Sequence, residues 1–86
     1  LFNTSDLIIA GKVSKKIFAL KKSIKNQKNI TKFLLNEKNK LQKMFNINIE
    51  YLELRDKKNL SISKKISKSK IFISYYLNDV RLIDNF

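Results

Sequence analysis

Over the first quarter of the chain the apolar residues Ile9, Val13, Ile17, Leu20 and Ile24 recur at spacings of three and four. That period puts them on one stripe of an amphipathic helix running from Ser5 to Lys25. Lys12, Lys15, Lys16, Lys22 and Lys25 fall mostly off the stripe, and Thr4-Ser5-Asp6 reads as the cap that opens it. Ile8, Phe18 and Ala19 widen the stripe, as suits a helix that touches more than one neighbour. Gly11, the sole glycine, costs about 1 kcal/mol inside a helix and so is read as a point of close packing. After a connector from Lys25 to Lys28, Asn29 caps a second helix from Ile30 to about Phe45. Its inward residues are Ile30, Phe33, Leu34, Leu41 and Met44 or Phe45, and its lone acid, Glu37, stands three from Lys40. Asn46 can end the helix in a left-handed conformation.

Beyond Asn46 the period falls to two. In Ile49 to Asp56, Leu52 and Leu54 share one face of a strand and Glu53 and Arg55 the other. Asp56 to Asn59 is turn-like, and Leu60 and Ile62 alternate with Ser61 and Ser63 as a short extended piece. Ile71 to Leu77 is β-branched and aromatic, Asn78-Asp79 tolerates positive φ at both turn positions, and Val80 to Ile83 resumes the apolar pattern. A hairpin needs a third strand to be stable in water, and Ile49 to Asp56 supplies it. The expected fold class is therefore α+β, with two helices packed on a small three-stranded antiparallel sheet, residues 1–86 forming a single domain. Either Leu82 or Ile83 faces the helices, and at least one of Tyr75 and Tyr76 belongs to the core.

The net charge of +12 alters this picture less than its size suggests. Of the 19 basic residues 17 are Lys, and the chain also has 12 Ile and 10 Asn but one Gly, two Ala and no Pro. These are the residues whose codons are richest in A and T, so a biased genome would make almost any surface Lys-rich. Phosphates and bases are usually gripped by Arg, of which there are only Arg55 and Arg81. The Lys surface is read as solvated rather than as a nucleic-acid site. Without Cys or His the chain has no disulfide, no thiolate or imidazole metal site and no Ser/His or Cys/His nucleophile pair. No apolar run approaches the ~18 residues of a membrane span, so a cytoplasmic domain is expected. The chain opens on Leu1, which favours a domain cut from a longer protein.

Several residue groups invite chemistry. Glu50, Glu53 and Asp56 could form a carboxylate cluster, but Glu50 and Glu53 point to opposite faces of a regular strand and cannot converge on a metal without a bulge. Tyr51, Tyr75 and Tyr76 could stack on bases. Arg81 and Asp84, three apart on the last strand, do not face each other, so each should find an ion pair or backbone amides on a neighbouring element, in a structural role. Lys65-Ile66-Ser67-Lys68-Ser69 looks like the KMSKS loop of adenylate-forming class I synthetases. In a chain about one-fifth Lys such a match arises readily by chance, and its other reading is a solvated charge run guarding an edge strand.

Arg81-Leu82-Ile83-Asp84-Asn85, preceded by the strand carrying Tyr51, Glu53, Arg55 and Asp56, resembles the end of pantoate–β-alanine ligases (pantothenate synthetases). The resemblance covers essentially the whole chain, with Asn78-Asp79 standing where a Gly is common. It implies the C-terminal lid domain of a two-domain enzyme, helices over a three-stranded antiparallel sheet. The nucleotide-binding domain would precede it, and the family's own KMSKS-like element would lie upstream of Leu1. The full-length enzyme would use ATP and Mg²⁺ to make pantoyl adenylate from pantoate, then join it to β-alanine, releasing AMP and pyrophosphate, and would act as a homodimer. The resemblance assigns no catalytic, cofactor-binding or metal-binding residue to residues 1–86, which alone are expected to be inactive. The alternative from the residues themselves is a free-standing basic α+β module binding nucleic acid through Lys-rich loops and sheet tyrosines; a pure interaction domain is a third reading.

Overall fold

The computed structural model describes residues 3–63 and 66–86. Helix α1 (Thr4–Ser23) runs into a single 3-10 turn (Ile24–Asn26). Its cap is Asn3, one residue before the expected Thr4-Ser5-Asp6. The Asn3 side chain accepts from the Asp6 N–H at 2.9 Å and Asp6 Oδ2 accepts from the Asn3 N–H at 3.1 Å, so Asp6 is the reciprocal partner in a capping box. Val13, Ile17, Leu20 and Ile24 are buried, as the stripe requires, and Ile9 packs half-buried beside them. Ile8, Phe18 and Ala19, expected to widen the buried stripe, are all exposed, together with Leu7. Gly11 also differs from expectation: a Cβ built there would meet nothing within 4 Å, so no neighbour requires a glycine.

Helix α2 (Ile30–Phe45) opens on Asn29, whose side chain accepts from the Lys32 N–H at 3.1 Å, and closes on Asn46 in the left-handed conformation (φ 51°, ψ 48°). Leu34 and Leu41 are buried, and Ile30, Phe33 and Phe45 pack half-buried against the core. Of the two candidates at the end of the stripe Phe45 turns inward, while Met44 is exposed. Glu37 pairs with Lys40 at 3.6 Å, a surface contact worth a few tenths of a kcal/mol.

The sheet comprises β1 (Asn48–Asp56), β2 (Ser69–Leu77) and β3 (Val80–Asn85), antiparallel in the order β1-β2-β3. This is the expected α+β arrangement. The β2–β3 turn is Asn78-Asp79 with φ 49° and 66°, the pair of left-handed residues that lets a two-residue turn follow the strands' twist. Ile49, Leu52, Leu54, Ile71, Ile73, Tyr75 and Leu77 are buried on the face toward the helices. Each Leu or Ile so covered contributes about 1.5–3 kcal/mol relative to exposure. Leu82, half-buried against this core, is the β3 residue that faces the helices; Ile83 is 57% exposed. Phe86 exchanges backbone hydrogen bonds with Ile71 (2.9 and 2.8 Å), tying down the chain just past β3. Among the described residues no helix is long and apolar enough to cross a membrane.

Candidate functional site

With the helices on one side of the sheet, the other side is the surface on which β1, β2 and β3 can display side chains. Its layout is set by an irregularity in β1. Asn48 and Ile49 pair with Tyr76 and Tyr75, but Tyr51 pairs with Ser74, leaving Glu50 as an extra residue in a β-bulge. The bulge keeps both Ile49 and Leu52 turned toward the helices, three apart, and it sets Glu50 on the outer face beside Tyr51. Glu50 and Glu53 therefore share the outer face after all, by the one device that could bring them there.

They do not converge on a common ligand position, because each carboxylate is held by a different arginine. Glu50 Oε1 accepts from Arg81 Nε (2.9 Å), Arg81 Nη2 (2.7 Å) and the Ser74 hydroxyl (2.8 Å). One oxygen thus gathers groups from β2 and β3, and the pair bridges the whole sheet. The Ser74 hydroxyl and then Arg81 hold the Glu50 carboxyl below the usual glutamate range. The same hydrogen bond raises Arg81 further above its ordinary range. Glu53 Oε1 accepts from Arg55 Nη2 at 2.6 Å, and the Arg55 guanidinium lies 5.3 Å from the centre of the Tyr51 ring. Arg55 Nε is buried without an acceptor. Among the described residues no group of three or more acidic, His or Cys side chains could hold a metal ion.

Arg81 takes the structural ion pair expected of it, with a partner two strands away instead of on the adjacent one. Asp84 differs from expectation: the partner it takes is the N–H of the next residue in its own strand, Asn85, at 2.8 Å, and not a group on a neighbouring element. Tyr75 is buried on the helix side, where burial and then the Asp84 charge push its hydroxyl pKa up. It cannot stack on a base, which removes one member of the tyrosine platform; Tyr51 and Tyr76 are on the outer face. Ser74 drew no notice in the sequence because a lone serine in a strand has no pattern, yet it is fully buried under the outer-face side chains.

Asp56 is spent on a turn: its Oδ1 accepts from the N–H groups of Lys58 and Asn59 (2.8 and 3.3 Å). The chain then returns to β1 through the bridge Arg55–Ile62, the short extended piece expected there. Of the KMSKS-like segment, Lys65 lies outside the described residues, Ile66–Lys68 is a 3-10 turn and Ser69 begins β2. Ser67 and Ser69 border an open crevice of about 390 Å³ with Lys21, Lys22, Lys25 and Lys57 on its rim.

The family model described as pantoate-beta-alanine ligase matches residues 3–86. No curated protein and no solved structure matches the chain. The match takes in both helices, the sheet and its outer face, including the segments Tyr51 to Asp56 and Arg81 to Asn85 on which the resemblance rested. The chain belongs to the pantoate-beta-alanine ligase family.

Proposed function

We propose that residues 1–86 are the C-terminal domain of a pantoate–β-alanine ligase and serve as the lid over its active site. The observation that carries this reading is the family match across residues 3–86, over a unit of two helices on a three-stranded antiparallel sheet, the form the sequence resemblance implies for that domain. In this reading the full-length enzyme is a cytoplasmic homodimer that activates pantoate with ATP as an acyl adenylate and transfers the pantoyl group to β-alanine.

In this reading residues 1–86 take up neither ATP nor Mg²⁺, and the groups that could hold the cation or a phosphate at a helix end are already engaged. The N-terminus of α1 is satisfied by its own Asn3 and Asp6, the Glu50 and Glu53 carboxylates are taken by Arg81 and Arg55, and Asp56 is folded into its turn. The reading therefore assigns the triphosphate and the cation to the preceding domain and gives this one a covering role.

The test is to express the whole reading frame and assay pantothenate formation from pantoate, β-alanine and ATP, with and without residues 1–86. Activity in the intact protein that is lost without this domain is expected. An upstream sequence with no nucleotide-binding domain, or an intact protein that forms no pantothenate, would overturn the reading.

A further inference from the structure

The crevice of about 390 Å³ at the C-terminal end of α1 draws its lining from distant parts of the chain. Lys21, Lys22 and Lys25 come from the end of α1 and its 3-10 turn, and Lys57 comes from the turn after β1. Its floor is the core itself, through Ile24, Leu54 and Ile71, none more than 3% exposed. The exposed Phe18 ring borders it, with Lys21 Nζ 5.8 Å from the ring centre. Its volume falls in the roughly 300–1,000 Å³ range of small-molecule pockets.

Charge selects the kind of molecule. The described residues that line the crevice include no side-chain carboxylate, and the ion pairs among the described residues, Glu37–Lys40, Glu53–Arg55 and Glu50–Arg81, leave all four lysines out. The outer sheet face is the opposite case, since each of its arginines already holds a glutamate. Lys binds phosphate as a compact point charge, and several lysines can share the charge of one phosphate group. A bare phosphate would leave the apolar floor unused, and a neutral apolar molecule would leave the lysines unused. A second crevice, of about 460 Å³, is also bordered by lysines, Lys12, Lys15 and Lys16. These come from α1 alone, the apolar side chains of Ala19 and Met44 beside them are exposed, and no buried residue is among the described residues that line it.

We infer that the first crevice binds a small organic phosphate, with its apolar or aromatic body on Ile24, Leu54 and Ile71 beside Phe18 and its phosphate among Lys21, Lys22, Lys25 and Lys57. Ser67, on the same border, offers a hydroxyl donor. The length of α1 carries the site about 30 Å from the cap at Asn3, the end at which the ligase reading places the preceding domain. Binding here is independent of the ligase chemistry.

Equilibrium dialysis of 1-naphthyl phosphate against the full-length protein tests the site, with three variants for comparison. Lys22→Gln/Lys57→Gln removes a cation from each of the two segments. Lys12→Gln/Lys15→Gln removes the same charge from α1 outside the crevice, and Phe18→Ser removes the bordering ring. All five side chains are exposed, so the fold is kept. The Lys22/Lys57 pair should raise Kd about tenfold or more and Phe18→Ser about threefold, with the Lys12/Lys15 control changing it less than about twofold. Inorganic phosphate and 1-naphthol should each bind at least about tenfold more weakly than the ester. No measurable binding, equal weakening by the two lysine pairs, an unchanged affinity in Phe18→Ser, or phosphate or naphthol binding as tightly as the ester overturns the site. A short single-stranded DNA that displaces the ester and binds more tightly also overturns it, because the lysines would then belong to a nucleic-acid surface. None of these outcomes touches the ligase reading, which stands or falls on pantothenate formation by the intact protein.

Discussion

Asn78 donates from its side-chain amide to Asp6 Oδ1 at 2.5 Å, joining the first turn of α1 to the β2–β3 turn across 72 residues of sequence. Asp6 is 3% exposed and also accepts from the Asn3 N–H, so its carboxylate is at once half of a helix cap and the anchor of the hairpin tip. Asn78 has two duties as well, since it holds a left-handed backbone conformation at φ 49°.

These two duties separate by mutation. Asn78→Gly keeps the backbone conformation and removes the amide, leaving a buried carboxylate short of one donor, and is expected to cost about 1–3 kcal/mol. Asn78→Ala should cost about 1 kcal/mol more because alanine resists the left-handed region. Urea unfolding of both variants measures the difference; equal losses would show that the backbone conformation contributes nothing.

Gly11→Ala should stabilise the protein. The position is inside α1, exposed, with open space where the Cβ would go. The gain should be about 0.5–1 kcal/mol, visible as a raised urea midpoint at unchanged slope. A loss of stability would contradict the open space at this position.

The two apolar residues at the centre of β3 should behave oppositely. Leu82→Ala removes a half-buried side chain from the core and should cost about 2 kcal/mol, whereas exposed Ile83→Ala should stay within about 0.5 kcal/mol. Truncation before Val80 uncovers Ile73 and Tyr75 and leaves β2 an unpaired edge. A circular-dichroism melt of that truncated chain is expected to lose its cooperative transition.

Glu50 gives a signed pH dependence. Its folded pKa lies below the unfolded value of about 4.3. Its contribution is therefore complete above that value and is lost as pH falls through the lower, folded one. The urea midpoint of the parent should exceed that of Glu50→Gln by a constant margin from neutral pH down to about pH 5, and the margin should close in stronger acid. A margin that does not change with pH would show that the carboxylate charge plays no part.

Much of this molecule is written locally. Asn29, Asn46 and Asn78-Asp79 are residues whose own side chain or backbone preference fixes a cap or a turn, and period alone marks Val13, Ile17 and Leu20 or Ile71, Ile73 and Tyr75. What escaped depends on partners far off in the chain. The exposure of Ile8, Phe18 and Met44 follows from how little of each helix the small sheet can cover, and no count of apolar residues reveals that. The capping box hid because Asn3 precedes a run, Thr4-Ser5-Asp6, in which every residue is itself a good cap. The pairing of Glu50 with Arg81 required the bulge, for which there was a signal. The aliphatic residues of β1 and its approach fall at 47, 49, then 52, 54, a slip from odd to even that strict alternation cannot produce without one extra residue.

That slip makes β1 one residue longer than its core needs. Were Glu50 excised, Ile49 and Tyr51 would be consecutive, just as their partners Tyr75 and Ser74 are, and the ladder would run without interruption from Asn48 to Asp56. Every buried side chain of the strand would keep its place. The hydrophobic interior is thus indifferent to the one position that joins all three strands on the opposite side, and a gene losing that single codon would still encode the fold while Ser74 and Arg81 lost their shared acceptor. Interior and exterior of this sheet can vary independently at that point.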